Sequence, residues 1–144
     1  MLTNNRRERL RLWYIEGLPV VRVRAALGMM GARPRLVNLH ISLSEFRTAI
    51  QSDLLEDFDA IPQMQRRQPL SILGTEGSAR AWRAPGLVFG DVIISHVTVW
   101  VHPLEMLPEG ISGVLGLDVL SRLGAIINLR EGWLTVHAEE PLPA

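Results

Sequence analysis

Residues 113–136, GVLGLDVLSRLGAIINLREGWLTV, carry the most informative pattern of the sequence. The apolar run GVLGL predicts a buried strand. Asp118 can cap the short helical segment VLSRL that follows, and Gly124 stands at the C′ position where helices often end. The segments AIINL and WLTVH, separated by REG, predict a closing hairpin. This stretch therefore predicts a strand, a short helix and a strand pair, in that order.

Upstream of it, two runs predict an opening hairpin. In residues 18–25, LPVVRVRA, apolar and charged side chains alternate with the period of a half-buried strand. The glycine- and proline-containing segment LGMMGARP predicts a turn, and residues 35–41, RLVNLHI, a second strand.

Residues 42–58 are predicted to be helical, at least in pieces. Ser42 and Glu45 have the spacing of a capping box, and Phe46 and Ile50 then fall on one helical face. After the polar connector IPQMQRRQP, the chain is again rich in strand-forming residues, in the short runs PLSILG, SARAWRA, LVFG and DVIISHVTVWVHP. In the last run His96, Thr98 and Trp100 share one face, and Val97, Val99 and Val101 the other.

Composition bounds the class of protein. The chain has 144 residues with no cysteine, a formal net charge of zero and 47% hydrophobic residues, which favours one ordered domain of mostly β structure. We expect residues 1–14 to be a flexible Arg-rich arm, residues 15–137 the domain, and residues 138–144 a loose tail. No apolar run reaches membrane-spanning length and no secretory signal is visible, so we predict a cytoplasmic protein without a membrane partner.

Two further classes of partner are not expected. The arginines of the arm, with Trp13 and Tyr14, could contact nucleic acid, but the zero net charge favours a solvated arm, and we predict no nucleic-acid partner. His96, His102 and His137 lack metal-ligand spacing, so no metal site and no cofactor is expected.

The C-terminal pattern resembles that of retropepsin-like aspartic proteases. Val114, Leu115 and Gly116 match the apolar-apolar-glycine step that leads into the family's short helix and final strands. The rest of the chain follows the same order, because residues 18–37 are similar to the opening hairpin, ILGTEGSARAWRA to the glycine-tipped flap and LVFGDVIISHVTVWV to the strands after it. The resemblance implies a closed β-barrel protomer with a flap hairpin and a short C-terminal helix.

The resemblance does not extend to the family's catalytic motif, Asp-Thr/Ser-Gly, which follows the second strand. Asn38 falls at the position assigned to the aspartate, Leu39 at that of the hydroxyl residue, His40 at the glycine and Ile41 at the small residue. Aspartic proteolysis needs two carboxylates that share a proton, one of them acting as general base on water. A carboxamide cannot take up that proton, so we predict an inactive protease relative, a pseudoprotease.

The resemblance also implies a homodimer, since the family builds one site from two protomers and this chain has one set of motifs. We expect the loops at residues 37–42 to meet across a two-fold axis, with the strands around Val21 and Val136 completing the interface. The expected peptide-binding residues are Leu39, His40, Ile41, Gly74, Thr75 and Gly77, the last three at the flap.

Two alternatives stay open. The chain could be an active homodimeric aspartic endopeptidase (a hydrolase) that recruits Asp53, Asp57 or Asp59. It could also be an unrelated small β-barrel that binds a ligand and resembles the family by accident.

Overall fold

The computed structural model describes residues 7–26, 35–51 and 68–139 of the chain. Their elements are, in order, β1 (Arg7–Arg11), β2 (Trp13–Ile15), β3 (Leu18–Ala26), β4 (Arg35–Ile41), β5 (Ala49–Gln51), β6 (Gln68–Ile72), β7 (Thr75–Phe89), β8 (Val92–His102), β9 (Gly113–Leu115), α1 (Leu117–Arg122), β10 (Ile126–Asn128) and β11 (Trp133–His137). The predicted mostly-β class with one short helix is confirmed.

Eight strands form a sheet that closes on itself. Their order is β2-β3-β4-β9-β5-β8-β7-β6, and an additional pairing between β3 and β7 joins the two sides of this sheet into a barrel. The antiparallel β3–β4 pair is the predicted opening hairpin, and its connection at residues 27–34 lies outside the described residues. Strands β6 and β7 extend from the barrel as a two-stranded flap.

The chain ends form a second, three-stranded sheet of order β1-β11-β10. In place of the loose arm expected for residues 1–14, residues 7–14 form β1 and most of β2. The predicted hairpin β10–β11 is confirmed. Val21 and Val136 themselves are 1% and 0% exposed and lie in the core, and the interface predicted for the strands around them stays a prediction. Both strands already have neighbours on each side within the chain.

Alternation explains most of the core. Val97, Val99 and Val101 of β8 are buried on one face, as predicted, and pack in a large apolar cluster inside the barrel. A smaller cluster lies beneath the flap and comprises Ala49, Ile72, Leu104 and Val114. The runs SARAWRA and LVFG, predicted as separate strands, form one 15-residue strand, β7.

The segment 42–51 differs from its helical prediction. Residues 42–48 form an extended loop, and Ala49 and Ile50 continue as β5, which pairs with β8 and β9. The rest of the predicted helix, from residue 52, lies outside the described residues. A capping box and an apolar repeat are local signals, and here the tertiary pairing of β5 overrides them.

Helix α1 begins two residues earlier than predicted. Its N-cap is Gly116, and Asp118 lies inside the first turn. Gly124 has φ +53° and follows the C-cap residue Leu123, which confirms the predicted C′ glycine. With six residues α1 is far too short to cross a bilayer, and the described residues contain no helix that could do so.

Candidate functional site

The loop of residues 42–48, called the β4–β5 loop below, leaves the barrel at the end of β4. Strand β4 pairs in parallel with β9, with Leu39 opposite Gly113 and Ile41 opposite Leu115. The backbone N–H of Ser42 continues this pairing and donates to the carbonyl of Leu115 at 3.1 Å. Ser42 is buried, and its hydroxyl oxygen accepts a hydrogen bond from the Ser44 backbone N–H at 3.3 Å. The start of the loop is therefore held by backbone pairing and a serine turn.

Two glycines allow β9 to approach the β4–β5 loop closely. A Cβ atom on Gly113 would lie 2.3 Å from the carbonyl oxygen of Ala49, and one on Gly116 would lie 2.5 Å from that of Arg47. Neither glycine has positive φ, so the space rather than the backbone conformation demands glycine here. Close packing against the β4–β5 loop therefore explains why the apolar-apolar-glycine run of residues 114–116 ends in glycine.

A buried polar network joins the loop to α1. The Thr48 hydroxyl donates to Asp118 Oδ1 at 2.7 Å and accepts from the Gly116 N–H at 3.0 Å. The Thr48 N–H donates to Asp118 Oδ2 at 3.2 Å. Thr48 is 1% exposed, so this network replaces all the water that its groups would otherwise bind. Asp118 therefore anchors the loop, in place of the N-cap role predicted for it.

Glu45 connects the loop to the flap. Its side chain is 8% exposed, with Oε2 accepting from the Arg47 N–H at 3.0 Å and Oε1 from the Leu73 N–H at 3.1 Å. Leu73 lies at the tip of the flap, 28 residues along the chain. The carboxylate of Glu45 is thus engaged by two backbone donors and holds the flap tip against the loop.

The flap turns at Leu73 and Gly74, which have φ +51° and +77°. Two successive residues of positive φ between paired Ile72 and Thr75 form a two-residue hairpin turn of the type that suits twisted strands. The glycine pattern GTEG, residues 74–77, indicates a turn two residues too late, because Thr75, Glu76 and Gly77 already belong to β7.

Gly77 lies opposite Leu70 in the flap and against His102. A Cβ atom there would meet the His102 ring at 3.0 Å. His102 is fully buried, and its Nε2 lies 3.0 Å from the carbonyl oxygen of Leu70 in β6. This histidine packs the flap against β8.

The residues predicted at the acid's position lie inside β4. The strand predicted over residues 35–41 is confirmed as β4, so Asn38, Leu39 and His40 lie within the strand and not after it. Leu39 and Ile41 point into the core, at 1% and 5% exposure. The residues that follow the strand are Ser42, Leu43 and Ser44.

The side chains of Asn38 and His40 have partners of their own. Asn38 donates from Nδ2 to the Gly110 carbonyl at 2.9 Å and accepts at Oδ1 from Arg22 Nε at 3.2 Å. Nδ1 of His40 lies 3.1 Å from the Pro19 carbonyl oxygen. Neither set of contacts reaches the flap. The structure brings the β4–β5 loop to the flap through Glu45, which sequence reasoning took for a helix-capping residue.

Two further features bear on what the site can bind. A groove of about 380 Å³ opens beside the β4–β5 loop, and is lined by Phe46, Arg47, His96, Val97, Thr98, Trp100, Asp118, Val119 and Arg122. Within residues 7–26, 35–51 and 68–139, no group of three or more His, Cys, Asp or Glu side chains could hold a metal ion.

Comparison with known proteins supports the fold. The chain matches no protein-family model and no curated protein sequence. Among solved structures, it is similar to a retropepsin-like aspartic protease from Rickettsia conorii, with a TM-score of 0.60 and 12% identity over 96% of this chain and 97% of that one. The retroviral protease-like domain of Ddi1 from Leishmania major gives a TM-score of 0.56 and 15% identity over 83% and 87%.

A third structure relates the chain to part of a longer protein. Conglutin gamma, a basic 7S globulin from lupine seeds, gives a TM-score of 0.58 and 10% identity, and the match covers 92% of this chain but 50% of that one. At these identities the comparisons establish the fold alone. The chain has the fold of retropepsin-like aspartic proteases.

Proposed function

We propose that this chain is a catalytically inactive, retropepsin-like domain that acts as a homodimeric assembly or peptide-binding module. One observation carries the proposal: residues 38–44, which span the end of β4 and the start of the loop after it, contain no Asp or Glu. Whether the acid's position corresponds to Asn38 in the strand or to Ser42 after it, neither side chain is a carboxylate. Neither can serve as the general base of an aspartic protease.

The nearest carboxylate in the loop does not replace the missing one. Both oxygens of Glu45 accept backbone hydrogen bonds, one of them from the flap tip. Glu45 is only 8% exposed, so its carboxylate holds the loop and the flap tip and is largely withdrawn from solvent. The alternative of an active enzyme needs Asp53, Asp57 or Asp59, which lie outside the described residues.

Exposed apolar side chains support a dimer formed at the β4–β5 loop. Leu43 and Phe46 are 65% and 63% exposed. A two-fold contact at this loop would bury Leu43 and Phe46 of both protomers, because each protomer contributes the same surface. The expected contact therefore moves from residues 37–42, which lie largely in β4, to the loop itself.

Measurement of the oligomeric state tests the proposed homodimer. We expect a dimer by light scattering over a range of protein concentrations, and a folded monomer for the double variant Leu43→Ser/Phe46→Ser. Ile93→Ser/Leu129→Ser removes two side chains of similar exposure elsewhere and should leave the dimer unchanged. A wild-type protein that stays monomeric at high concentration would contradict the dimer.

A proteolysis assay tests the proposal that the chain is catalytically inactive. Incubation with unfolded protein from acid to neutral pH should give no cleavage that a transition-state-like aspartic protease inhibitor blocks. Inhibitor-sensitive cleavage that is lost in Asp53→Asn, Asp57→Asn or Asp59→Asn would establish the alternative enzyme instead.

Two variants that install the family's Asp-Thr-Gly motif test where the catalytic aspartate would have to lie. The variant Ser42→Asp/Leu43→Thr/Ser44→Gly installs the family motif after the strand, and Asn38→Asp/Leu39→Thr/His40→Gly installs it within the strand. Cleavage by one of them identifies the position. If both variants are folded, dimeric and inert, the fold is a poor guide to the chemistry of this chain.

A further inference from the structure

The ordering of residues 7–11 in β1 aligns three arginines on one surface. Arg7, Arg9 and Arg11 are exposed, whereas the intervening Glu8 and Leu10 are turned toward the interior. In the register with β11, the arginines stand opposite His137, Thr135 and Trp133. Alternate residues of a strand are about 6.8 Å apart, so the three arginines leave the backbone in one line at a regular interval.

Aromatic rings extend this basic face. The guanidinium carbons of Arg9 and Arg11 lie 4.2 and 4.7 Å from the Trp133 ring centroid. Further along, Arg22 lies over the Trp13 ring at 5.4 Å.

Tyr14 follows Trp13 in β2, so its side chain lies on the opposite face of that strand, where its hydroxyl donates to the Leu129 carbonyl at 2.8 Å. Trp13 continues the alternation of Arg7, Arg9 and Arg11 and is 52% exposed. We call these six residues the arginine–aromatic face: Arg7, Arg9, Arg11, Trp13, Arg22 and Trp133.

The face is positive although the whole chain is neutral. The Glu131 carboxylate lies 3.9 Å from the Arg9 guanidinium, and both side chains are more than half exposed. Such an exposed pair is weak and yields readily to another anion. Glu139, another acid near the chain end, is engaged by Arg122 on α1.

We propose that the arginine–aromatic face binds single-stranded nucleic acid. Proteins that bind single strands combine cations along the backbone with aromatic side chains on which bases stack, and arginine adds cation–π contacts. A line of arginines that continues into exposed Trp13 provides both parts on one face. The sequence prediction of no nucleic-acid partner rested on a loose arm and the net charge, and the ordered strand β1 removes its first premise.

Fluorescence anisotropy with labelled 20-nucleotide single-stranded DNA and RNA tests the charge part on the full chain. We expect saturable binding at low salt, weakened at least about tenfold in Arg7→Gln/Arg11→Gln, with the salt-dependence slope reduced by about 1.4 for the two lost phosphate contacts. Arg80→Gln/Arg83→Gln changes the charge equally on β7 and should bind like the wild type. No saturable binding, or an equal loss in both double variants, would overturn the proposal.

Trp13→Ala tests the stacking part without a change in charge. It should weaken binding about fivefold or more while leaving the salt slope unchanged. If heparin or phosphatidylserine-containing vesicles bind as tightly as the oligonucleotides, and Trp13→Ala binds like the wild type, the face attracts polyanions in general and the proposal fails. Circular dichroism on each variant establishes that the fold is intact.

Discussion

The segment 113–118 and the β4–β5 loop contact each other along their length, yet they relate differently to the retropepsin resemblance. In the first, Val114, Leu115 and Gly116 match the family pattern. Around the second, from Asn38 to Ser44, no acid is present. The structure explains the contrast, because Gly116 and Asp118 are required to pack the loop, whereas a catalytic acid is required only for chemistry. A chain can therefore lack the catalytic acid and still keep the residues that pack the loop.

The largest effect is expected at Gly116. A Cβ atom there would lie 2.5–2.6 Å from the carbonyl oxygens of Arg47 and Phe46, which are backbone atoms and cannot rotate away. Gly116→Ala should lower the free energy of unfolding by about 3 kcal/mol in urea denaturation. Gly74→Ala is the comparison: it has no neighbour within 4 Å but φ +77°, and should cost only about 1 kcal/mol. Equal losses would mean that close packing of the segment 113–118 does not matter.

Thr48 is expected to come next. Thr48→Val keeps the shape but leaves Asp118 Oδ1 and the Gly116 N–H without their hydroxyl partner in a buried site. The free energy of unfolding should fall by about 2 kcal/mol. Thr98→Val on the exposed face of β8 should stay within about 0.5 kcal/mol of the wild type. A neutral Thr48→Val would show that the network does not hold the loop.

Glu45 tests the contact between the loop and the flap. Glu45→Gln keeps the size of the side chain but removes the charge that receives the Leu73 N–H, which should cost about 1 kcal/mol, localised at the flap. Hydrogen exchange should therefore quicken for the Leu73 amide and its neighbours and hardly change in the barrel. Glu76→Gln, an exposed carboxylate on β7, is the matched control. Exchange that rises equally throughout the chain would indicate a global effect instead.

The smallest effect is expected at Asn38. Asn38→Ala removes side-chain hydrogen bonds to Gly110 and Arg22 that are open to solvent, so water can replace them. Thermal unfolding should show a loss of about 0.5 kcal/mol. A loss as large as that of Gly116→Ala would make Asn38 a structural centre of the site.

By itself the sequence determined most of the strands, because alternation in LPVVRVRA and in residues 92–102 is a local consequence of one buried face. It also determined the end of α1, since Gly124 adopts the positive φ that a helix terminus favours. The order of elements then sufficed for the fold.

Only the tertiary structure decided which strand β4 pairs with and what Glu45 does. Ile41 of β4 lies opposite Leu115 of β9, more than 70 residues away, and no local pattern encodes that partner. Ser42 and Glu45 have capping-box spacing, but pairing of β5 with β8 and β9 is incompatible with a helix there. The carboxylate freed from a capping role accepts the flap's N–H, a contact that exists only once the barrel has closed.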